Sequence, residues 1–237
     1  MLENYTVLDL ETTGLDPKKE KIIEIGAVRV RNGNPDAIYQ NLVHPGRNID
    51  TRVTELTGIT DGMLQDAPYI EALLPELLTF LGDDALIGHR ILFDYSFVKK
   101  AAVNAGMEFE KTGLDTLKLA RVCLPEQPSK RLTDLCSYYG IEYQAHRAYE
   151  DALATHRLYR KLCAGYEYAA QAQPEKLYYA VKKEGPITPA QRERLKRMEA
   201  FYQISLPYEI EKLTKNEASR IMDQLTAKYG TVPRFVK

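Results

Sequence analysis

The stretch "TVLDLETTGL", residues 6 to 15, constrains this chain more than any other. It is an apolar run with the look of a buried strand, yet it carries two acids, Asp9 and Glu11, before breaking at Gly14. Side chains alternate along a strand, so Asp9 and Glu11 point to one face while Leu8 and Leu10 point to the other. Two carboxylates so close in apolar surroundings do not both ionise cheaply without a cation. A D-x-E pair alone is common by chance. This one lies at the carboxyl end of an apolar strand, just before a Thr-Thr-Gly turn, where open α/β sheets place their ligands.

The flanking pattern is that of an α/β chain. "KIIEIGAVRVRNGN" (21–34) and "AIYQNLVHP" (37–45) predict two further strands joined through Asn32-Gly33-Asn34-Pro35, a strong turn sequence. Apolar spacing predicts a helix over 69–82, a short buried strand over 85–89, and a helix over 94–106 with Asp94 at its mouth. A strand-to-helix unit follows at 113–121, then helices at 132–140 and 148–162. Strands mixed with helices of this length indicate an α/β sheet with an antiparallel hairpin at its front end.

Two more acids and a histidine join the first pair. "LIGHRILFDYSF" puts Asp94 at a helix start, where a simple N-cap is the plainer reading. "HRAYEDA" puts His146 five residues before Asp151. Five residues of α-helix turn through roughly 140°, so the two meet only if His146 lies on a loop and Asp151 on the helix. Taken singly, His146 reads as an ordinary loop histidine, and His89 as a structural one at a strand end.

Together, "DLETTG", "GHRILFD" and "HRAYEDA" resemble the three exonuclease motifs of the DEDD superfamily in its DEDDh branch. The resemblance covers about residues 5 to 163 and includes "ELTGITDGMLQDAP", "LDTLKLAR" and "LTDLCSYYGI" between the motifs. It is greatest to the proofreading exonuclease domain of Gram-positive replicative DNA polymerases and to the related epsilon subunit. It implies a ribonuclease H-like fold, a mixed five-stranded sheet flanked by helices, and two-metal hydrolysis of phosphodiesters from a 3′ end. By the family pattern, Asp9 bridges both metals, Glu11 and Asp151 complete the first, Asp94 holds the second, and His146 is the general base. Oxygen ligands of this kind suit Mg²⁺ or Mn²⁺, not zinc, and two such ions about 4 Å apart can clamp both oxygens of an in-line displacement. A histidine ordinarily titrates near ~6.5 and so can accept a proton at cellular pH. The family further implies that Thr12, Thr13, Gly14 and Leu15 lie along the terminal nucleotide. Phe93 is a stacking candidate, although an aromatic at a helix start is more often core. Arg90 stands where many members have Asn.

Composition bounds the rest. The chain has 237 residues and a formal net charge of -1, so no whole-molecule field selects a partner. Residues 185–237 hold 10 Lys+Arg against 6 Asp+Glu, while residues 1–184 hold 22 against 27. Three scattered cysteines with no C-x-x-C argue against a metal or disulfide framework and for a reducing cytoplasm. No leader and no membrane span is expected. The expected domains are an exonuclease domain over 1–166, a linker over 167–187, and a small helical appendage over 188–237 whose two helices each begin at a Thr. Sixteen tyrosines, including pairs at 138–139 and 178–179, read as half-buried packing residues in preference to stacking surfaces.

The function expected first is a 3′-5′ exonuclease on single-stranded DNA ends, trimming free ends or serving a polymerase in trans in proofreading or repair. The alternatives are an exoribonuclease trimming RNA ends and, in another class, a nucleic-acid-binding subunit without chemistry.

Overall fold

The computed structural model describes residues 1–232; the last five residues of the expected appendage lie outside them. The chain divides into two units, residues 1–45 with 49–181, and residues 46–48 with 182–237.

The larger unit is a six-stranded sheet with helices on both faces. β1 (Tyr5–Thr12), β2 (Ile22–Arg31) and β3 (Asn34–Leu42) form the antiparallel front. Two short helices, α1 (Thr51–Thr57) and α2 (Asp61–Leu64), lead to α3 (Ile70–Leu81), β4 (Leu86–Gly88) and α4 (Ile91–Ala105). β5 (Thr112–Asp115), α5 (Thr116–Cys123), α6 (Leu132–Tyr139), α7 (Ala148–Gly165), α8 (Glu167–Gln171) and β6 (Glu175–Lys176) complete it. The strand order is β3-β2-β1-β4-β5-β6, with β4 parallel to β1 and to β5. The sheet is therefore mixed, as expected, but has six strands and not five. The sixth is the two-residue β6, antiparallel to β5, in a segment expected to be linker. Leu177, next in sequence, is buried and covers Gly113.

Alternation along β1 sorts the core into two layers. Even positions Leu8 and Leu10 pack with Ile25, Ala27 and the apolar faces of α3 and α4. Odd positions Tyr5 and Val7 pack with Val28, Val30 and the apolar faces of α5 and α7. The next two odd positions on that second face are Asp9 and Glu11.

The smaller unit is built on α9 (Pro189–Tyr202) and α10 (Lys215–Tyr229), with a 3₁₀ turn at Ile210–Lys212 between them. Thr188 and Thr214 each close a reciprocal capping box, with Gln191 and Glu217 respectively. Leu195 and Met198 pack against Ile221 and Leu225 in a core of their own.

No helix among the described residues is long and apolar enough to cross a membrane.

Candidate active site

Register fixes the first half of the site. Across β1 and β2 the second face reads Tyr5–Val30, Val7–Val28, Asp9–Gly26 and Glu11–Glu24. Two apolar rungs are followed by two acidic ones. At the glycine rung, a Cβ on Gly26 would stand 2.1 Å from the Ala148 carbonyl carbon. Only a residue without a side chain lets the first turn of α7 lie on the sheet there. The approach brings Asp151, in that first turn, over Asp9 and Glu11. One ligand atom from each of Glu11, His146 and Asp151 falls in a group whose members are all within 4.8 Å of one another.

Glu24 anchors the approach. It is completely buried, accepts from the Arg147 guanidinium at 2.8 Å, and accepts from the Ala148 backbone N–H at 3.1 Å. It thus caps α7 from another strand, since Arg147 at the N-cap position supplies no side-chain cap of its own. The hydrogen bond with Glu24 raises the Arg147 pKa further. Among the described residues, the ion pair recorded at this cluster is this one.

The loop before α7 delivers the histidine. His146 takes a left-handed φ of 64°, unusual for a residue with a side chain. Its backbone N–H and that of Arg147 donate to Asp151 Oδ2 at 2.7 and 3.2 Å. His146 lies on the loop and Asp151 on the helix, and a single carboxylate joins the two. Tyr143, on the same loop, has its hydroxyl buried beside Asp151, and burial next to that acid raises its pKa.

Asp94 arrives from the other layer. Helix α4 begins at Ile91, three residues before the expected start, so Asp94 is not the N-cap that a local reading favours. Its carboxylate accepts from the Leu10 backbone N–H of β1 at 3.1 Å, which holds it at the carboxyl end of the sheet. The N-cap is Arg90, at a left-handed φ of 83° that asparagine adopts more readily than arginine. The Arg90 N–H donates to Asp115 at 2.9 Å.

Electrostatics follow from crowding. Burial, then the charges of Asp94, Asp151, Glu11 and Glu24, push the Asp9 pKa well above the ordinary carboxylate range. Burial, then Asp151 and Glu24, push Glu11 up to about 8. Asp94 is raised by burial against the pull of backbone N–H groups, and Asp151 likewise. Acids that ionise so reluctantly, two of them, Glu11 and Asp151, with ligand atoms within 4.8 Å of each other and of His146, fit a site that holds divalent cations.

The neighbouring candidates divide. The Thr12 hydroxyl donates to the Gly14 carbonyl at 2.8 Å and the Thr13 hydroxyl to Glu20 at 2.6 Å, so both shape the loop itself. A bulge between Glu11 and Thr12 turns the chain out of the sheet at that point. Leu15 then stands 78% exposed, an apolar side chain with no packing role. Phe93 is half-buried against Phe97, with ring centroids 5.0 Å apart. His89 bridges Thr116 at 2.9 Å and the Lys130 carbonyl at 2.7 Å, a structural tie.

Sequence reasoning passed over Glu24, Gly26 and Tyr143. The available signal was an acid and a glycine interrupting the otherwise apolar "IIEIGAV".

Comparison with known proteins gives the family. The family model described as RNase_T exonuclease matches residues 6–159. The chain belongs to that exonuclease family. The epsilon subunit of DNA polymerase III from Aquifex aeolicus is 39% identical over 160 residues, covering 67% of this chain and 79% of that protein. A PolC-type DNA polymerase III from Clostridium perfringens is 38% identical over 154 residues, or 65% of this chain. This chain spans only 11% of that polymerase's length. Among solved structures, Exonuclease X in complex with 5′ overhanging duplex DNA is 26% identical, with a TM-score of 0.55 over 68% of this chain and 91% of that one. E. coli Exonuclease I in complex with a dA16 oligonucleotide has a TM-score of 0.63 at 19% identity, over 71% of this chain and 42% of that one, which speaks for a shared fold. The exonuclease family fold is thus ribonuclease H-like, as the motifs imply. The family model ends at residue 159, before α8, β6 and the smaller unit.

Proposed function

We propose that this member of the exonuclease family removes nucleotides from the 3′ end of single-stranded DNA, releasing nucleoside 5′-monophosphates with the help of two divalent cations, Mg²⁺ or Mn²⁺. The observation that carries the reading is that Glu11, His146 and Asp151 bring ligand atoms within 4.8 Å of one another, with Asp9 beside them on β1 and Asp94 tied to the Leu10 N–H of the same strand. Asp9, Glu11, Asp94 and Asp151 would hold the ions. When bound, they supply positive charge against the phosphate and polarise it for attack by water.

The protein's own residues do the remainder. His146 is accessible at the rim of the cluster, where its imidazole accepts the proton of the attacking water. Asp151 holds the histidine loop through two backbone N–H groups, which keeps the base oriented as the charge on it changes. Leu15, unpacked and next to the acids, presents an apolar wedge to the terminal bases, and Phe93 stands at the edge of the same entrance. DNA is favoured because the similar proteins are named as parts of DNA polymerases. Such a chain would trim free ends or serve a polymerase in trans. Its three free, buried cysteines suit the reducing cytoplasm.

The test is a cleavage panel on matched 3′-labelled DNA and RNA strands with Mg²⁺, Mn²⁺ or chelator. Stepwise loss from the 3′ end of DNA that stops in chelator is expected. Cleavage from the 5′ end, activity in chelator, or a large preference for RNA would each overturn part of the reading.

A further inference from the structure

A groove of about 1030 Å³ runs across the larger unit and begins at the entrance just described, where Leu15 and Phe93 form its first wall. That is the upper end of the ~300–1,000 Å³ usual for a small-molecule pocket, although this one is an open trough. It contains none of the four acids. Its floor is the end of β5 and the start of α5, and its far wall is α8, β6 and the residues just beyond β6.

The lining has a definite chemistry. Four cations face it, Arg90, Lys118, Arg121 and Lys176, against two acids, Asp115 and Glu175. Asp115 is already engaged, accepting from the Leu117 and Arg90 backbone N–H groups at 2.9 Å each. Lys118 lies 3.6 Å from Glu175, both highly exposed, in a pair that water screens almost completely. The cations therefore concentrate positive charge in a trough on a body whose first 184 residues are acidic overall. Two tyrosines complete the far wall, Tyr168 at 58% and Tyr178 at 74% exposed. Their sequence neighbours Ala169 and Leu177 are buried and account for the packing of this segment. The two rings are thus unexplained by the fold. Cations that track a phosphate backbone, alternating with aromatic faces on which bases stack, are the recurring design of single-strand binding surfaces.

We infer that this groove, walled by the segment after the catalytic helix, holds the part of a single strand that lies 5′ of the nucleotides in the active site. The proposal rests on the exonuclease reading for the strand's direction, since its entrance is shared with the acids. The far wall lies outside residues 6–159 that match the family model. The groove reads no base sequence, because stacking and phosphate contacts tolerate any base.

Two measurements on the full chain test it. The first is the affinity for a labelled 12-nucleotide strand, DNA or RNA in separate arms, by fluorescence anisotropy in chelator so that no cleavage occurs. Tyr168→Ala/Tyr178→Ala should weaken it at least about fivefold. Lys118→Ala/Lys176→Ala should flatten the dependence of log K on log salt by roughly 1 to 1.5, the release expected for two contacts on a single strand. All four side chains are exposed, and the two variants alter different chemistry, so a folding defect in one leaves the other to decide. The second measurement is kcat/KM on a ladder of strands from two to twelve nucleotides with Mn²⁺. The native chain's kcat/KM should climb with length, and the climb should be lost in both variants. Unchanged affinity and salt slope, or an unchanged climb, would overturn the groove while leaving the exonuclease intact. Groove-dependent binding by a chain that cleaves no strand would uphold the groove and overturn the exonuclease reading instead.

Discussion

The acidic end of the sheet and the small helical unit are built on opposite principles. In the helical unit most local choices agree with the fold, the exception being Gln203, which ends α9 at a left-handed φ of 55°. Threonines close both capping boxes, Gly230 ends α10, and the apolar faces meet in one core. At the end of β1 the rules of stability are broken one after another. Like charges sit directly opposite at Glu11 and Glu24, a glycine interrupts the strand beside them, and a histidine adopts a left-handed backbone. Departures of this sort gather where chemistry is done, and their cost is carried by the two apolar rungs behind them.

The sharpest way to break the contrast is to remove one acid without disturbing its hydrogen bond. Asp94→Asn keeps an acceptor for the Leu10 N–H, so the fold should survive by circular dichroism while cleavage falls at least about a thousandfold. Full activity in that variant would relocate the site. Next comes Gly26→Ala, which forces a methyl group into the backbone of α7. It should destabilise by roughly 3 kcal/mol and lower activity together with the melting temperature; a neutral result would mean that α7 does not rest on this rung.

A gentler probe is pH. Because Glu11 is raised to about 8 in the folded chain, against an ordinary value near ~4.3, the folded state binds more protons than the unfolded one between those limits. Stability without metal should therefore fall as pH rises through that window. Adding Mn²⁺ should reduce the fall, and Asp9→Asn should raise the melting temperature in chelator at about pH 8. Melting curves in chelator that improve toward alkaline pH would contradict the crowding. The smallest effects belong to the other region. Thr188→Ala and Thr214→Ala should each cost about 1 kcal/mol of helix stability and leave cleavage rates alone, which assay and thermal melts would compare directly.

What could be read in advance follows the range of the forces. Strand alternation placed Asp9 and Glu11 on one face, and Thr188 and Thr214 signalled their helices, because both depend on near neighbours. The ribonuclease H-like layering was legible through the three motifs. Glu24 was not, since its partner Arg147 stands 123 residues away and nothing local ties a strand glutamate to a distant helix start. Gly26 was missed for the same reason. The short helices α1, α2 and α8 carry too little periodicity to register. The tyrosine pairs, expected half-buried, split instead: Tyr139 and Tyr179 are half-buried and pack against the core, while Tyr138 and Tyr178 face solvent at 54% and 74%.

The two-residue β6 has a practical meaning for anyone cutting or grafting this chain. Its pairing with Thr112 and Gly113, and the bond from the Leu177 N–H to the Lys111 carbonyl, seal the outer edge of β5. A fragment trimmed to the family match at residues 6–159 would bare that margin, a template for sticking to other chains. A transplantable nuclease module therefore runs to about residue 181, where the larger unit ends.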